Sequence, residues 1–136
     1  MKRVTIGVVI GIVFAAALFS ATGVLAQLET RTSTAGGVTL KVTPKVVASD
    51  AAAWEFAVVL DTHTQDISDD LSKVASILDA NGARRSPTSW QGDGPGGHHR
   101  EGVLRFEPLR PRPAVIELQV ERPGESTPRS FRWELK

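Results

Sequence analysis

The stretch WEFAVVLDTH, residues 54–63, alternates between apolar and polar side chains. Trp54, Phe56, Val58 and Leu60 fall on one side of an extended chain, and the charged residues fall on the other. Successive side chains of a β-strand point to opposite faces of the sheet, so a period of two is typical of a strand with one buried face. The stretch therefore predicts a strand that packs against a core.

The same period of two recurs on both sides of that stretch. It is found in GVTLKV (37–42), GVLRFEP (102–108), AVIELQVER (114–122) and RSFRWELK (129–136). Pro44 ends the first of these strands or places it at a sheet edge, because proline has no N–H to donate. About seven short strands separated by turns predict an all-β, antiparallel Ig-like or fibronectin-like β-sandwich. Its core is expected to contain Trp54, Phe56, Phe106, Phe131 and Trp133.

One segment allows two interpretations. Asn81-Gly82 favours a tight turn, which predicts a hairpin of residues 74–78 and 83–88. Apolar residues at helical spacing make a short helix over 68–78 the alternative. We favour the hairpin, preceded by one helical turn at 69–72.

The N-terminal segment differs in composition from the rest of the chain. Lys2 and Arg3 carry its only charges, and residues 4–26 are uncharged. A basic start, an apolar middle and a small residue at the end, here Ala26, are typical of a secretory signal peptide, so the mature chain is expected to begin at Gln27. An uncleaved membrane anchor is the alternative, because about 20 apolar residues can span a bilayer.

These patterns divide the chain into three parts. Residues 1–26 form the signal peptide or anchor, the polar residues 27–36 form a flexible tether, and residues 37–136 form the β-sandwich domain. The domain is therefore expected in the periplasm, outside the cell or at the cell surface, with membrane contact only if the first segment is uncleaved. The chain has no cysteine, so disulfides, thiolate metal sites and cysteine nucleophiles are excluded.

The charge balance is close to neutral. The chain has 16 Lys and Arg, which fall to 14 without Lys2 and Arg3, against 15 Asp and Glu. This balance argues against nucleic acid as a partner, and we expect a monomer. An acidic stretch over 61–79 precedes an arginine-rich stretch over 84–112, and both are expected to be solvated surfaces that face one another.

Several segments together resemble a known group of proteins. WEFAVVLDTH, SPTSWQG (86–92), GGHHREGVLRF (96–106) and FRWEL (131–135) resemble small exported prokaryotic proteins that carry a W-x-F…(D/N)-T-H segment, a W-x-G…GGHHR-x-G-x-L-x-F segment and a terminal F-R-W. The resemblance covers nearly all of the chain after residue 27. It implies export and a β-sandwich, and it implies no mechanism.

The three histidines are the candidate metal ligands. Neutral imidazole commonly binds Zn and Cu. A site is expected to combine His63 with His98 or His99, and with Asp61 or Asp66. This requires the loop after residue 61 to meet the glycine turn before residue 100. No ligand spacing here is diagnostic of a metal site.

Adjacent residues of an extended chain point to opposite faces, so His98 and His99 are expected to diverge. Alternation from Leu104 and Phe106 places His98 on the core side and His99 on the outer side. At most one of the two is then expected to join His63.

Calcium and an anion are the other candidate ligands. DISDD matches the first half of an EF-hand loop, but Leu71 and Ile77 stand where the glycine and the glutamate are required. A looser calcium site would use Asp61, Asp66, Asp69 and Asp70. The glycine turn GDGPGG lacks the G-K-[ST] of a phosphate loop, although its N–H groups with His99 and Arg100 could receive an anion.

Trp90 and Arg100 flank the glycine turn and are the candidate interaction residues. Trp90 is expected to pack over one end of the sandwich with its N–H bonded to a backbone carbonyl. The alternative is an exposed stacking platform, which is less favoured because large apolar surfaces are normally buried.

These features predict an exported, non-catalytic binding or accessory module that contacts another envelope or extracellular protein. A sheet face or edge would make the contact, with the first or the last strand as the candidate edge. The alternative is a periplasmic Cu- or Zn-binding protein that uses His63 with His98 or His99. No catalytic residue or other cofactor is predicted, because the sequence has no G-x-S-x-G elbow and no cysteine.

Overall fold

Two antiparallel sheets form the domain in the computed structural model, which describes residues 28–135. The expected signal segment and Gln27 lie outside the described residues. Within residues 28–135, the strands and the one helix are β1 Arg31–Ala35, β2 Val38–Val46, β3 Trp54–Thr62, α1 Leu71–Val74, β4 Ala75–Leu78, β5 Arg84–Arg85, β6 Ser89–Gly92, β7 His99–Phe106, β8 Val115–Val120 and β9 Arg129–Glu134. The first sheet has the order β1-β2-β3-β7-β6 and the second has the order β5-β4-β8-β9. The predicted all-β sandwich is confirmed, with nine strands among the described residues where about seven were expected.

Strand β3 is the middle strand of the five-stranded sheet, and its alternation is regular along its whole length. Every second residue from Trp54 to Thr62 is buried. It pairs with β2 on one side, where Val58 faces Val42, and with β7 on the other, where Phe56 faces Leu104. Strand β3 therefore positions both of its neighbours.

The core lies between the two sheets and contains all five predicted aromatic residues. Trp54, Phe56 and Phe106 are fully buried, and Phe131 and Trp133 are each 2% exposed. The Phe56 ring meets the Phe106 ring edge-on at 5.7 Å between centroids and lies 5.9 Å from the Trp133 ring. Each buried side chain of this size contributes about 1.5–3 kcal/mol, so the apolar core can stabilise a domain that has no disulfide.

The predicted tether is wrong for residues 31–35, which form β1. Gly36 and Gly37 have φ values of 56° and 78°, as a two-residue hairpin turn requires, and they pair β1 with β2 from Ala35 and Val38 outward. None of the five β1 side chains is buried, so no hydrophobic alternation marked the strand. The strand predicted as first is consequently internal, and it runs past Pro44 to Val46 through an irregular register.

The segment over 68–88 forms the predicted hairpin in shortened form. Ile77 pairs with Arg85 and Leu78 with Arg84, and Gly82 has φ of 77° in the turn. The alternative helix over 68–78 is wrong, because α1 has only four residues and β4 begins at Ala75. No helix among residues 28–135 is long and apolar enough to cross a membrane.

Candidate functional site

Four connections meet at one end of the sandwich, which we call the histidine end. They are residues 36–37, 63–70, 93–98 and 121–128. The third connection is bonded through its backbone to the end of β3 and to the second connection: Thr62 N–H donates to His98 O at 2.9 Å, and Ile67 N–H donates to Gly97 O at 3.0 Å. The loop after residue 61 therefore does meet the glycine turn, as a shared site requires.

His99 lies on the outer face of the five-stranded sheet between two carboxylates. Its Nδ1 is 2.5 Å from Asp61 Oδ1, which is directly across the strand pair, and its Nε2 is 3.3 Å from Glu101 Oε2. The hydrogen bond to Asp61, and secondarily the one to Glu101, raises the pKa of His99 above its ordinary value. The outward direction predicted for His99 agrees with this position.

The other predicted metal ligands do not join that group. His63, His98 and Asp66 are all exposed, and none of their side chains makes a hydrogen bond or ion pair with another residue between 28 and 135. Within that range, no group of three or more His, Asp or Glu is placed to hold a metal ion. Of the five predicted ligands, only Asp61 and His99 are in direct contact.

The expectation that His98 faces the core is wrong. Strand β7 begins at His99, so His98 lies past the end of the strand, where alternation no longer places a side chain in the core. The inward position nearest this end belongs to Arg100, which is 1% exposed. His98 is instead presented to solvent.

Arg100 is buried and bonded inside the domain. Its guanidinium donates to the carbonyls of Asp69 at 2.6 Å, Asp93 at 3.2 Å and Ile67 at 3.3 Å. Its Nε is buried without a hydrogen-bond partner in the structure. The side chain thus ties two loops together from inside the domain, and contact between Arg100 and a partner stays a prediction.

Trp90 covers Arg100 and packs against the core, as its packed interpretation predicted. The Trp90 ring centroid is 5.9 Å from Arg100 Cζ, and Nε1–H donates to Asp93 O at 3.0 Å. A Cβ on Gly102 would lie 2.8 Å from the indole, and one on Gly92 would lie 3.0 Å from it. Gly92 and Gly102 face each other across β6 and β7, and because neither has a side chain they leave the space in which the half-buried Trp90 ring lies.

Asp93 joins these contacts to the start of the glycine turn. Its carbonyl accepts from Trp90 and Arg100, and its carboxylate accepts the Glu101 N–H at 3.0 Å. Every residue from 91 to 99 is nevertheless exposed. The turn is thus held by its backbone and by buried side chains, while its own side chains remain available to solvent.

A buried ionic network supports the rest of the histidine end. Arg122 binds both carboxylate oxygens of Asp69, at 2.7 and 3.2 Å, and these two side chains are only 7% and 4% exposed. Glu125 bridges Arg122 at 3.2 Å to Arg129 at 2.6 Å. Residue 69 and residues 122–129, two chain segments far apart in sequence, are joined in this way.

Arg129 extends the network to the β1–β2 hairpin. Its guanidinium donates to the carbonyls of Ala35 at 2.8 Å, Val38 at 2.9 Å and Ser33 at 3.1 Å. Because β1 buries no side chain, these bonds and its pairing with β2 hold the strand in place.

The charges in this network stabilise one another. The hydrogen bond from Arg129 is the main reason that the pKa of Glu125 lies below its ordinary value, and the charge of Arg122 adds to it. Burial opposes the charged form of Arg122, but the hydrogen bond and charge of Asp69 outweigh burial and raise the pKa of Arg122. Glu125 and Arg122 are therefore both ionised at neutral pH.

Sequence reasoning missed this network, although one signal was present. Arg100, Arg122 and Arg129 each occupy an inward position of the alternation, in step with Leu104, Val120 and Phe131 respectively. A charged residue at an inward position near a strand end must be paired or bonded inside the domain. Asp69 and Glu125 lie in connections and carry no comparable signal.

Comparison with protein-family models, curated proteins and solved structures finds no match. The resemblance to small exported prokaryotic proteins stays a prediction. The arrangement at the histidine end therefore has to be interpreted from its own geometry. That geometry is a fixed, exposed turn with two imidazoles, carried by a buried polar framework.

Proposed function

We propose that this chain is an exported, non-catalytic binding module that contacts another envelope or extracellular protein through the histidine end. The observation that carries the proposal is the combination of a turn whose side chains are all exposed over residues 91–99 with a buried anchor in Arg100. Loops held by a rigid scaffold are the usual sites of recognition. A preorganised loop also loses less conformational entropy on binding.

The chemistry of the exposed groups suits recognition better than catalysis. Both ring nitrogens of His99 are engaged by carboxylates, so neither is free to accept a proton from a substrate. His98 presents its imidazole without a partner among residues 28–135. Such a group can donate or accept a hydrogen bond at a protein interface.

Photo-crosslinking in the native host tests the proposal. A photoreactive residue at position 98 is expected to give one discrete crosslinked product, whereas the same residue at position 45, exposed near the end of β2, is expected to give none. The captured protein would then be purified, and its affinity compared for the unchanged chain and for His98→Ala. Identical products from both positions, or unchanged affinity of the variant, would refute the proposal.

Metal binding is the competing function, and calorimetry separates the two. The exported protein and its His98→Ala/His99→Ala variant are titrated with Zn(II) and Cu(II). The proposal expects equal heats from both proteins. Saturable binding that the double variant abolishes would replace the proposal with a metal-binding function.

A further inference from the structure

A second surface lies at the opposite end of the sandwich from the histidine end. It is a groove of about 650 Å³ between the β4–β5 turn and the connection from β7 to β8. That volume is within the range of about 300–1,000 Å³ that small-ligand sites occupy. Its lining combines apolar residues with hydrogen-bonding groups; the members used below are Asp79, Arg85, Glu107, Pro108, Leu109 and Arg110.

One pair of charges in the groove is fully satisfied within the domain. The Asp79 carboxylate accepts from the N–H groups of Asn81 and Ala83, each at 2.9 Å, and from Arg85 at 3.0 and 3.2 Å. These bonds fix the turn that forms one wall. Asp79 and Arg85 therefore have little remaining capacity to bind a charged ligand.

The other pair of charges has no partner within the described part of the domain. Glu107 and Arg110 both line the groove and are both exposed. No ion pair within 4.0 Å joins them to each other or to any other residue between 28 and 135, and neither side chain makes a hydrogen bond there. Two opposite charges that share a groove without pairing are complementary to a ligand that carries both charges.

We propose that this groove binds a small zwitterion, namely a free amino acid or a short peptide. Arg110 would bind the carboxylate, because a guanidinium matches the planar geometry of two carboxylate oxygens. Glu107 would bind the ammonium group, and Pro108 and Leu109 would contact an apolar side chain. The prolines give the ligand a stiff wall. This site is independent of the histidine end and of the function proposed for it.

Both charges are solvated, so binding is expected to be weak, with a Kd on the order of 1 mM. The test is a titration of the isotope-labelled exported protein with L-leucine, followed by amide chemical shifts in NMR spectra. Saturable shifts are expected at Asn81 and Leu109. N-acetyl-leucine, which has no ammonium group, and leucinamide, which has no carboxylate, are each expected to bind at least about fivefold more weakly, because each loses one charged contact.

The same titration with variants assigns the contacts. Arg110→Gln and Glu107→Gln are each expected to weaken leucine binding about fivefold. Arg84→Gln is the matched control, because Arg84 is also exposed but pairs with Glu121 at 2.6 Å outside the groove. Comparison of leucine with glycyl-leucine then shows whether a free amino acid or a peptide is preferred, and either preference supports a zwitterion site. No saturable shift with leucine, or equal affinity for leucine and its two blocked forms, would overturn the proposal.

Discussion

Substitution of Asp69 by asparagine tests the buried ionic network. The change keeps the size of the side chain but removes the charge that faces Arg122 at 2.7 and 3.2 Å. Both side chains are more than nine-tenths buried, so water cannot replace the lost carboxylate at low cost. The buried guanidinium of Arg122 then keeps only the negative charge of Glu125 beside it.

The expected loss in the free energy of unfolding depends on the contacts that Arg122 keeps in the variant. Removal of one partner from a buried ion pair costs about 3–5 kcal/mol. Glu125 still contacts Arg122 at 3.2 Å after the change, so we expect the lower figure, about 3 kcal/mol. A domain of this kind has a free energy of unfolding of about 5–15 kcal/mol, so the loss is a large part of the total.

The assay is urea unfolding followed by tryptophan fluorescence. At a slope of about 1.5 kcal/mol per molar urea, a loss of about 3 kcal/mol lowers the midpoint by about 2 M. Asp70→Asn is the matched control, because Asp70 is the adjacent aspartate and its side chain is 52% exposed. Its midpoint is expected to change far less. Equal midpoints for the two variants would show that the network does not stabilise the domain.

A double substitution separates charge from packing. If the cost of Asp69→Asn comes from the uncompensated guanidinium, then Asp69→Leu combined with Arg122→Met should be less destabilised than Asp69→Leu alone. An additive loss in the double variant would contradict that explanation.

Three further predictions concern pH and close packing. The pKa of Glu125 is lowered, so its ionic contacts stabilise the domain fully above the unfolded pKa of about 4.5. This contribution is lost as the pH falls through the folded pKa. Glu125→Gln should therefore make the urea midpoint fall less steeply below pH 5. The pKa of His99 is raised, so the contribution of its carboxylate contacts to stability is complete below about pH 6.5 and is lost as the pH rises through the folded pKa. An NMR titration should give His99 a pKa above 6.5, and this pKa should fall in Asp61→Asn. An unchanged pKa in that variant would contradict the contact. Gly102→Ala would place a Cβ 2.7 Å from backbone atoms of β6 and should lower the free energy of unfolding by about 1–3 kcal/mol. In Gly94→Ala the new Cβ has no atom within 4 Å, so the urea midpoint should change little. Similar midpoints for the two variants would refute the close packing.

The alternation of apolar and polar residues was sufficient to predict the main strands and the core. The period of two in 54–60 places Trp54 and Phe56 inside, and the same period places Phe131 and Trp133 inside from the other sheet. It also places His99 on the outer face, and the pairing of β3 with β7 in the structure then brings it beside Asp61. These predictions are reliable because a strand has only two faces and an apolar side chain strongly prefers the buried one.

Where alternation stopped, prediction from sequence failed. Residues 31–35 form a strand without a buried side chain, so only Gly36-Gly37 between two threonine-rich segments signalled the hairpin. Alternation predicts an inward side chain at His98, but this residue lies past the end of β7, and the last inward position belongs to Arg100. Periodicity says which face a residue takes and does not say where the core ends.

The sequence by itself determined the class of fold, the aromatic core and the exposed glycine turn, because these depend on local conformation and on the burial of apolar surface. Only the tertiary structure decided which charges lie inside. Arg122 meets Asp69 across 53 residues and Arg129 meets Ala35 across 94, and no local pattern encodes such a pair. A buried charge is stable only where its partners converge from several segments, so the histidine end and the groove at the opposite end could be recognised only once the strands were assembled.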